Sequence, residues 1–396
     1  METVLPEDVG LASERLGRIG AALRRLVENG TLAGSVTLVA RRGKVAHFEA
    51  TGQMDLDARR PMERDAIFRL ASMTKPITVT AVMVLFEEGH FLLDDPVADF
   101  LPEFAQTKVF ARQTAEGVEV ADLERPITIR HLLMHTSGLA YDSDPDNPVS
   151  RIYAQERIGR PDEPLADKCR RLAALPLAHQ PGAAWTYGFS HDVLGRLVEV
   201  VSGQPFDVFL QRRVFAPLEM TDTGFAVPPD QLGRLAPVYT PDGRGGLRRD
   251  ESQRDRSSAP AFLAGGGGLT STAADYARFC QVLLGGGALG GVRLLGRKTV
   301  ELMTANHWTG DASPYPPRFP VPSGYGFGLG MRTLVDVARS SVPSSVGEYG
   351  WGGAQSTHFW IDPREEFFGL FMVQLAPANF RPAWIFQALA YQALVD

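Results

Sequence analysis

The stretch Phe68–Pro76 reads FRLASMTKP and places Ser72 three residues before Lys75. Residues three apart on a helix share a face, so the lysine side chain can reach the serine hydroxyl. A serine hydroxyl attacks a carbonyl carbon only when a neighbouring base takes its proton, and a lysine can be that base where its surroundings favour the neutral amine. The stretch therefore predicts a nucleophilic serine, Ser72, with Lys75 as its activating partner.

Pro76–Glu88 follows directly and is apolar nearly all round, which predicts a helix buried between layers. At the N-terminal end of such a helix, the backbone N–H of Ser72 can donate to a developing oxyanion. The alternative is a chance match, because a pattern with two fixed positions is weak. Composition argues against chance, since nearly all basic residues are arginine, which cannot act as the base, and only Lys75 follows a serine by three residues.

Composition bounds the size and the partners of the protein. The chain has 396 residues with 44% hydrophobic content, more than one core usually holds, so two lobes with a cleft between them are predicted. The net charge of -6 offers no basic surface for nucleic acid, and no apolar stretch is long enough to cross a membrane. The start METVLPEDVG lacks the pattern of a signal peptide, and the distant Cys169 and Cys280 fit no disulfide framework, so a cytoplasmic protein is expected.

Three further patterns exclude other kinds of site. His131 and His135 are four residues apart, but no accompanying glutamate or third ligand suggests a metal site, which favours a packing role. Gly265–Gly268 is not followed by the lysine and serine or threonine of a phosphate-binding loop. We therefore expect no metal and no cofactor. The chain also contains no G-x-S-x-G, which argues against the α/β-hydrolase fold.

Hydrophobic periodicity outside the Ser72 stretch predicts an α+β lobe. Ser13–Glu28 carries apolar residues at helical spacing and predicts an amphipathic helix. Ser35–Val39 and Val45–Phe48 are β-rich runs on either side of a polar turn, which predicts a hairpin. Three later runs have strand character and would complete one sheet with this hairpin: Tyr325–Thr333, His358–Ile361 and Phe367–Val373.

Helical and irregular signals dominate the middle of the chain, with few strand alternations. The predicted fold class is α+β: residues 1–80 and 256–396 form a discontinuous α/β sandwich domain with an antiparallel sheet flanked by helices, and residues 81–255 form a mainly helical domain. Gly265–Phe279 predicts a glycine turn, a Thr/Ser cap and a helix. The proline-rich Pro314–Pro322 is expected to shape the mouth of a pocket.

Further motifs follow one another along the chain: HTSGL at His135–Leu139, Tyr187 after the turn Pro181–Gly182, the run Gly265–Gly268, and WGG at Trp351–Gly353. Together with the S-x-x-K array, they resemble the serine β-lactamase and penicillin-binding protein superfamily, specifically the family VIII carboxylesterases that are similar to class C β-lactamases. The resemblance covers nearly the whole chain. It implies a β-lactamase/transpeptidase-like fold and an acyl-enzyme formed on Ser72.

The resemblance also assigns roles to residues outside the S-x-x-K array. Tyr187 would complete a Ser-Lys-Tyr centre, in which either Lys75 or Tyr187 is the base for Ser72. Ala354 follows the WGG motif, and its backbone N–H would be the second oxyanion donor. By residue type alone, a tyrosine in this place is more typical of a packed aromatic side chain, so the assignment depends on the resemblance.

Two departures from the β-lactamase pattern indicate the kind of substrate. Phe189 stands where Y-x-N has its asparagine, and Trp351 stands where K-T-G has its lysine, followed by Gly352 and Gly353. A substrate carboxylate would lose its counter-charge, whereas a neutral group would gain apolar contact. The two glycines would let the strand edge approach the substrate closely.

These features favour a serine carboxylesterase that hydrolyses small, uncharged esters of short-chain acids. Alternatives on the same scaffold are a β-lactamase or D-amino-acid peptidase and an acyltransferase. A catalytically silent binding protein with the same fold is the alternative outside enzymes. A small-molecule ester is the expected partner, and no pattern in the sequence defines an oligomeric state.

Overall fold

A computed structural model describes residues 1–115, 117–254, 256–310, 313–316 and 319–396. Its strands are β1 Gly34–Arg41, β2 Lys44–Asp55, β3 Arg60–Pro61, β4 Phe68–Arg69, β5 Val109–Gln113, β6 Val118–Ala121, β7 Tyr239–Pro241, β8 Leu247–Arg249, β9 Thr270–Ser271, β10 Ala288–Leu289, β11 Val292–Arg293, β12 Tyr325–Phe327, β13 Arg332–Leu334, β14 Tyr349–Gly352, β15 His358–Asp362 and β16 Phe367–Met372. Its α-helices are α1 Ser13–Glu28, α2 Thr74–Glu87, α3 Ile129–Leu133, α4 Pro148–Gln155, α5 Leu165–Ala173, α6 Ser190–Ser202, α7 Phe206–Leu210, α8 Ala273–Leu284, α9 Arg297–Thr304 and α10 Arg381–Tyr391.

An eight-stranded antiparallel sheet joins the two ends of the chain, in the order β12-β13-β14-β15-β16-β1-β2-β3. The N-terminal hairpin pairs with the C-terminal strands through β1 and β16, where Val36 lies opposite Met372 and Leu38 opposite Leu370. Every residue of β1 is buried, so both faces of this strand are covered by other layers. The predicted antiparallel sheet, flanked by helices, is confirmed.

Each face of the sheet packs against its own layer of helices. On one face α1 and α10 pack together over a cluster that includes Leu23, Trp360 and Phe386. The opposite face, which carries Leu38 and Leu370, belongs to the larger core that also contains α2 and α8. The alternation of side chains along β1 assigns Leu38 and Val39 to different cores.

Helix α2 lies at the centre of the larger core. Every residue from Thr74 to Leu85 is buried, which confirms the helix predicted from its all-round apolar sequence. It packs against α6, which belongs to residues 81–255, called the middle segment below.

Two other predicted helices are confirmed by the structure. The helix predicted at Ser13–Glu28 is α1. The capped helix predicted after Gly265–Gly268 is α8, and its cap is Thr272, whose side-chain hydroxyl accepts from the Asp275 N–H at 3.2 Å. This hydrogen bond pairs one of the backbone N–H groups that the first turn of a helix leaves free.

The structure differs from the sequence-based expectation in two places. Tyr325–Thr333 is not one strand but two, β12 and β13, because the chain reverses at Gly328–Met331, where Gly330 has φ 75°. The middle segment also contains two small hairpins, β5–β6 and β7–β8. All four residues of β6 are exposed, so this strand has no buried face. The predicted domain boundaries at residues 80 and 256 stay a prediction.

Both cysteines, Cys169 and Cys280, are buried and unpaired. Within the described ranges, no helix combines the length and the apolar character needed to span a bilayer.

The packing of β15 against β16 predicts a position where a single methyl group destabilises the fold. Gly369 lies opposite Trp360, whose indole is fully buried, and a Cβ at position 369 would overlap that indole. We expect Gly369→Ala to lower the free energy of unfolding by about 1–3 kcal/mol, because the rigid ring has no room to move. Urea denaturation measures the change.

Gly17→Ala is the matched control. Gly17 lies within α1, and no atom stands within 4 Å of the added methyl group. Since alanine loses less backbone entropy than glycine in a helix, this variant should gain about 0.5–1 kcal/mol. A Gly369→Ala protein as stable as the wild type would contradict the packing described.

Candidate active site

Ser72 lies in a sharp turn between β4 and α2. The turn Ala71–Met73 is a 3₁₀ turn that runs into α2, so Ser72 precedes the α-helix proper instead of lying within it. Ala71 has φ 45°, a left-handed conformation that costs a non-glycine residue about 1–3 kcal/mol. The turn is held from α8, where the Tyr276 hydroxyl donates to the Met73 carbonyl at 2.9 Å.

Lys75 is fully buried, and its ammonium group has three acceptors. Its Nζ donates to Ser72 Oγ at 3.2 Å, to the Tyr141 hydroxyl at 3.1 Å and to the Gly266 carbonyl at 2.7 Å. An ammonium group has three N–H bonds, so these contacts fix its orientation. A neutral amine in the same place would accept the Ser72 proton along the same 3.2 Å contact.

The two tyrosines near Lys75 contact it in different ways. The ring of Tyr187 faces the ammonium, with Nζ 4.5 Å from the ring centroid, while the Tyr187 hydroxyl accepts from Trp351 Nε1 at 3.3 Å. The hydroxyl that bonds to Lys75 belongs to Tyr141. Burial raises the pKa of the Tyr141 hydroxyl well above its usual value, so this group stays protonated.

Sequence reasoning missed Tyr141 and Asp192. Tyr141 follows the HTSGL motif at a distance of two residues, and this position is the one signal that pointed to it. Asp192 is buried in α6 and accepts from the Gly266 N–H at 3.0 Å. Burial raises the pKa of Asp192, against the opposite effects of that hydrogen bond and of the charges of Lys75 and Lys168.

Two cavities meet at Ser72. The smaller, of ≈ 190 Å³, is lined by Ser72, Tyr187 and Ala354 together with the WGG motif, Trp351–Gly353. The larger, of ≈ 600 Å³, is lined by the same three residues together with Phe189 and others. The structure therefore brings the predicted site residues to the walls of these two cavities, except for Lys75, which contacts Ser72 Oγ. Ser72 therefore has open space on two sides.

The glycines of the WGG motif allow β14 to approach the Ser72 turn. A Cβ at Gly353 would overlap the Leu70 carbonyl and the Thr357 side chain, and one at Gly352 would overlap the Phe380 ring. Larger residues at these two positions would push the strand away from Ser72. The two glycines therefore explain how Ala354, the next residue, reaches the same cavities as Ser72.

Part of the proline-rich segment lines the smaller cavity. Phe319, Pro320 and Val321 lie on its wall, while residues 317 and 318 are outside the described part of the chain. The Phe319 ring meets the Tyr187 ring edge to face, with centroids 5.1 Å apart. The segment therefore contributes an aromatic wall beside the candidate nucleophile.

Comparison with known proteins identifies the family. The β-lactamase family model matches residues 19–392. This chain belongs to the β-lactamase family. It is 39% identical over 364 residues to protein Rv1367c of Mycobacterium tuberculosis, covering 90% of this chain and 89% of that protein. It is 32% identical over 368 residues to esterase EstB of Burkholderia gladioli, covering 89% of this chain and 88% of that protein.

Among solved structures, the fold of this β-lactamase family member is similar to that of EstCE1, described as a hydrolase with promiscuous acyltransferase activity. The TM-score is 0.80 at 28% identity, and the match covers 96% of this chain and 99% of the other. The β-lactamase/transpeptidase-like fold expected from the motifs is confirmed. The resemblance to the family VIII esterases is confirmed as well.

Behind the Tyr187 ring, this β-lactamase family member buries a pair of histidines. His135 and His191 stack with ring centroids 4.5 Å apart, and His135 also packs on Tyr187 at 4.7 Å. None of their four ring nitrogens has a hydrogen-bond partner among the described residues. Burial lowers the pKa of both imidazoles well below 6.5, and the charge of Lys75 lowers it further, so both rings are neutral.

The two histidines weighed as metal ligands have separate surroundings. His131 accepts from the Thr128 N–H at 3.1 Å and braces the start of α3, whereas His135 faces Tyr187 and His191. In the part of the chain that the structure describes, no three His, Cys, Asp or Glu side chains are grouped to hold a metal ion.

The histidine pair predicts a loss of stability in weak acid. On unfolding, each imidazole regains a pKa near 6.5, so below that pH the unfolded chain binds more protons than the folded one. Stability is therefore fully present above about pH 6.5 and falls as the pH decreases, by up to about 1.4 kcal/mol per pH unit for each histidine. Thermal melts between pH 5 and 8 measure this slope.

His191→Phe should flatten the slope, because it removes one of the two groups that must stay neutral. The exposed His90 provides the control, and His90→Phe should leave the slope unchanged. A wild-type melting temperature that is constant from pH 8 to 5 would contradict the account of the pair.

Proposed function

We propose that this chain is a serine carboxylesterase that hydrolyses short-chain esters through an acyl-enzyme on Ser72. Its class, a carboxylic ester hydrolase of the β-lactamase fold, follows from the family match and the esterase relatives. The observation that carries the proposal is the 3.2 Å contact between Ser72 Oγ and Lys75 Nζ, at the point where two cavities meet.

In the proposed reaction, Lys75 acts in its neutral amine form and takes the proton of Ser72 as Oγ attacks the ester carbonyl carbon. The ammonium with its three acceptors is the form that this proton transfer produces. The backbone N–H groups of Ser72 and Ala354 stabilise the oxyanion, a contribution worth about 10²- to 10³-fold for a single donor. The proton then passes to the leaving alcohol. Water attacks the acyl-enzyme by the same route in reverse, which releases the acid and restores Ser72.

Lys75 is proposed as the base because it is the group that contacts Ser72 Oγ. The Tyr187 hydroxyl is bonded to Trp351, and its ring face stabilises the cationic form of Lys75 that proton transfer creates. Tyr141 keeps the ammonium in place through its neutral hydroxyl. The reaction needs no cofactor, and the unpaired Cys169 and Cys280 fit a reducing compartment such as the cytoplasm.

The smaller cavity favours an uncharged group. Trp351 presents an indole where a lysine would pair with a substrate carboxylate, and Phe380 and Trp384 add further aromatic surface. The larger cavity is more polar, because Arg254 and Arg256 lie on its wall. We therefore assign the short, uncharged half of the ester to the smaller cavity.

The nucleophile is tested with p-nitrophenyl butyrate. Ser72→Ala should lower kcat/KM by more than about 10³-fold, and Lys75→Arg by more than about 10²-fold, because a guanidinium cannot release its proton. Ser202→Ala, at the end of α6, is the control and should keep wild-type activity. Undiminished turnover by Ser72→Ala would contradict the proposal.

A fluorophosphonate separates the enzyme from a silent binding protein. We expect mass spectrometry to find one adduct, on Ser72, in the wild type and none in Ser72→Ala. A wild-type protein without an adduct would favour the binding protein. Nitrocefin turnover as fast as ester turnover would favour a β-lactamase instead.

Acyl transfer to an alcohol is a second candidate activity, favoured by the meeting of two cavities at Ser72, which leaves space for an acceptor beside the acyl-enzyme. EstCE1, with the similar fold, is described as having such an activity. Adding 1-butanol to the p-nitrophenyl butyrate reaction should yield butyl butyrate, detected by gas chromatography. Formation of butyric acid alone would limit the enzyme to hydrolysis.

A further inference from the structure

The glycine run Gly265–Gly268 contains the residue that connects Lys75 with a buried acid. A Cβ at Gly266 would lie 2.8 Å from the Tyr141 hydroxyl and 3.0 Å from Asp192 Oδ2, too close for both atoms to stay in place. Because glycine has no side chain, the two polar groups can approach the backbone here.

Gly266 is hydrogen-bonded through both of its backbone groups. Its N–H donates to Asp192 Oδ1 at 3.0 Å, and its carbonyl accepts from Lys75 Nζ at 2.7 Å, the shortest of the three contacts of that ammonium. The preceding carbonyl, of Gly265, accepts from the Thr78 hydroxyl on α2 at 2.7 Å. Asp192 on α6 and Thr78 on α2 therefore hold the acceptor that orients Lys75.

The contacts of Lys75 orient its charge but do not neutralise it. Its three acceptors are the Ser72 hydroxyl, the protonated Tyr141 hydroxyl and the Gly266 carbonyl. The balancing charge lies one residue further away, because the charge of Lys75 lowers the pKa of Asp192 against the effect of burial. The attraction is mutual, so an ionised Asp192 stabilises the ammonium that forms when Ser72 loses its proton.

The other groups that face this pair leave Asp192 as its source of negative charge. They are His135, His191, Tyr141, Tyr187, Lys168 and Cys169. Burial shifts the pKa of both imidazoles, of the Tyr141 hydroxyl and of the Cys169 thiol towards the uncharged forms. The charge of Lys168 and the first turn of α6 both favour the Asp192 carboxylate.

We propose that Asp192 is a positioning residue of the reaction, which holds Gly266 against Lys75 and supplies the negative charge that stabilises the newly formed ammonium. The Ser72 proton moves to the Lys75 amine and then to the leaving alcohol, while Asp192 remains ionised throughout. This inference rests on the proposed esterase function and adds to it a residue that acts through Lys75.

The test is the pH dependence of kcat/KM for p-nitrophenyl butyrate, from pH 5 to 9, in the wild type and in Asp192→Asn. The amide oxygen of asparagine can still accept from the Gly266 N–H, but the side chain has no charge. Activity falls in acid because protonated Lys75 cannot act as a base. Without the anion the ammonium is less stable, so the midpoint of this fall should move about 1 unit to lower pH. The plateau should drop about three- to tenfold, since Lys75 becomes a weaker base.

Asp192→Ala removes the acceptor as well as the charge. Its midpoint should match that of Asp192→Asn, and its plateau should be about tenfold lower still, because the Gly266 N–H loses its partner. Asp275→Asn is the matched control and should keep the wild-type midpoint. Asp275 is another buried acid that accepts from a backbone N–H, that of Asp222, and it lines neither cavity.

The midpoint separates positioning from a merely structural role, which would lower the plateau and leave the midpoint in place. Each sample is returned to pH 8 and assayed again, so that activity lost by unfolding in acid is counted separately. A midpoint in Asp192→Asn at least half a unit below the wild-type value supports the inference, and any smaller or opposite shift would overturn it.

If Asp192→Asn does not fold, the midpoint of Asp192→Ala decides by the same criterion. If neither variant folds, the carboxylate serves folding and not the reaction, and the inference is wrong. A failure of the esterase proposal has a different signature, in which Ser72→Ala would show the wild-type pH profile.

Discussion

The burial of one lysine ammonium is the constraint on which the site depends. A charge without solvent is costly unless its surroundings replace the lost water, and Lys75 obtains that replacement from parts of the chain that are distant in sequence. The Gly266 carbonyl and the Tyr141 hydroxyl accept its protons, and the Tyr187 ring faces it. The middle segment, α2 and the loop before α8 therefore have to come together before the lysine can be buried beside Ser72.

The same constraint accounts for the electrical state of the neighbouring groups. Burial keeps His135 and His191 neutral, and the charge of Lys75 lowers their pKa further. Asp192 is a buried acidic group that accepts from the Gly266 N–H. The result is a site in which Ser72 and Lys75 lie close to two neutral imidazoles and the neutral hydroxyl of Tyr141.

Local patterns predicted the elements of this molecule better than its contacts. The spacing of Ser72 and Lys75 and the apolar sequence of α2 depend on neighbouring residues, so the sequence contains them directly. The roles of Tyr141 and Asp192 depend on contacts across 66 and 74 residues of chain, and no periodicity encodes those. Tyr325–Thr333 forms two strands because the chain reverses near Gly330, which has a positive φ. The strand-like residues on either side of this glycine gave no sign of the reversal.

The unequal cavities at Ser72 imply that discrimination acts on one half of the ester only. The cavity of ≈ 190 Å³ has room for a short group, while the cavity of ≈ 600 Å³ has room for larger ones. Such an enzyme selects its substrates by the short group that fits the smaller cavity, and it accepts different groups in the larger cavity. A population of unrelated esters that have this fragment in common would then be processed by a single catalyst, and variation in the aromatic wall alone would shift which fragment is recognised.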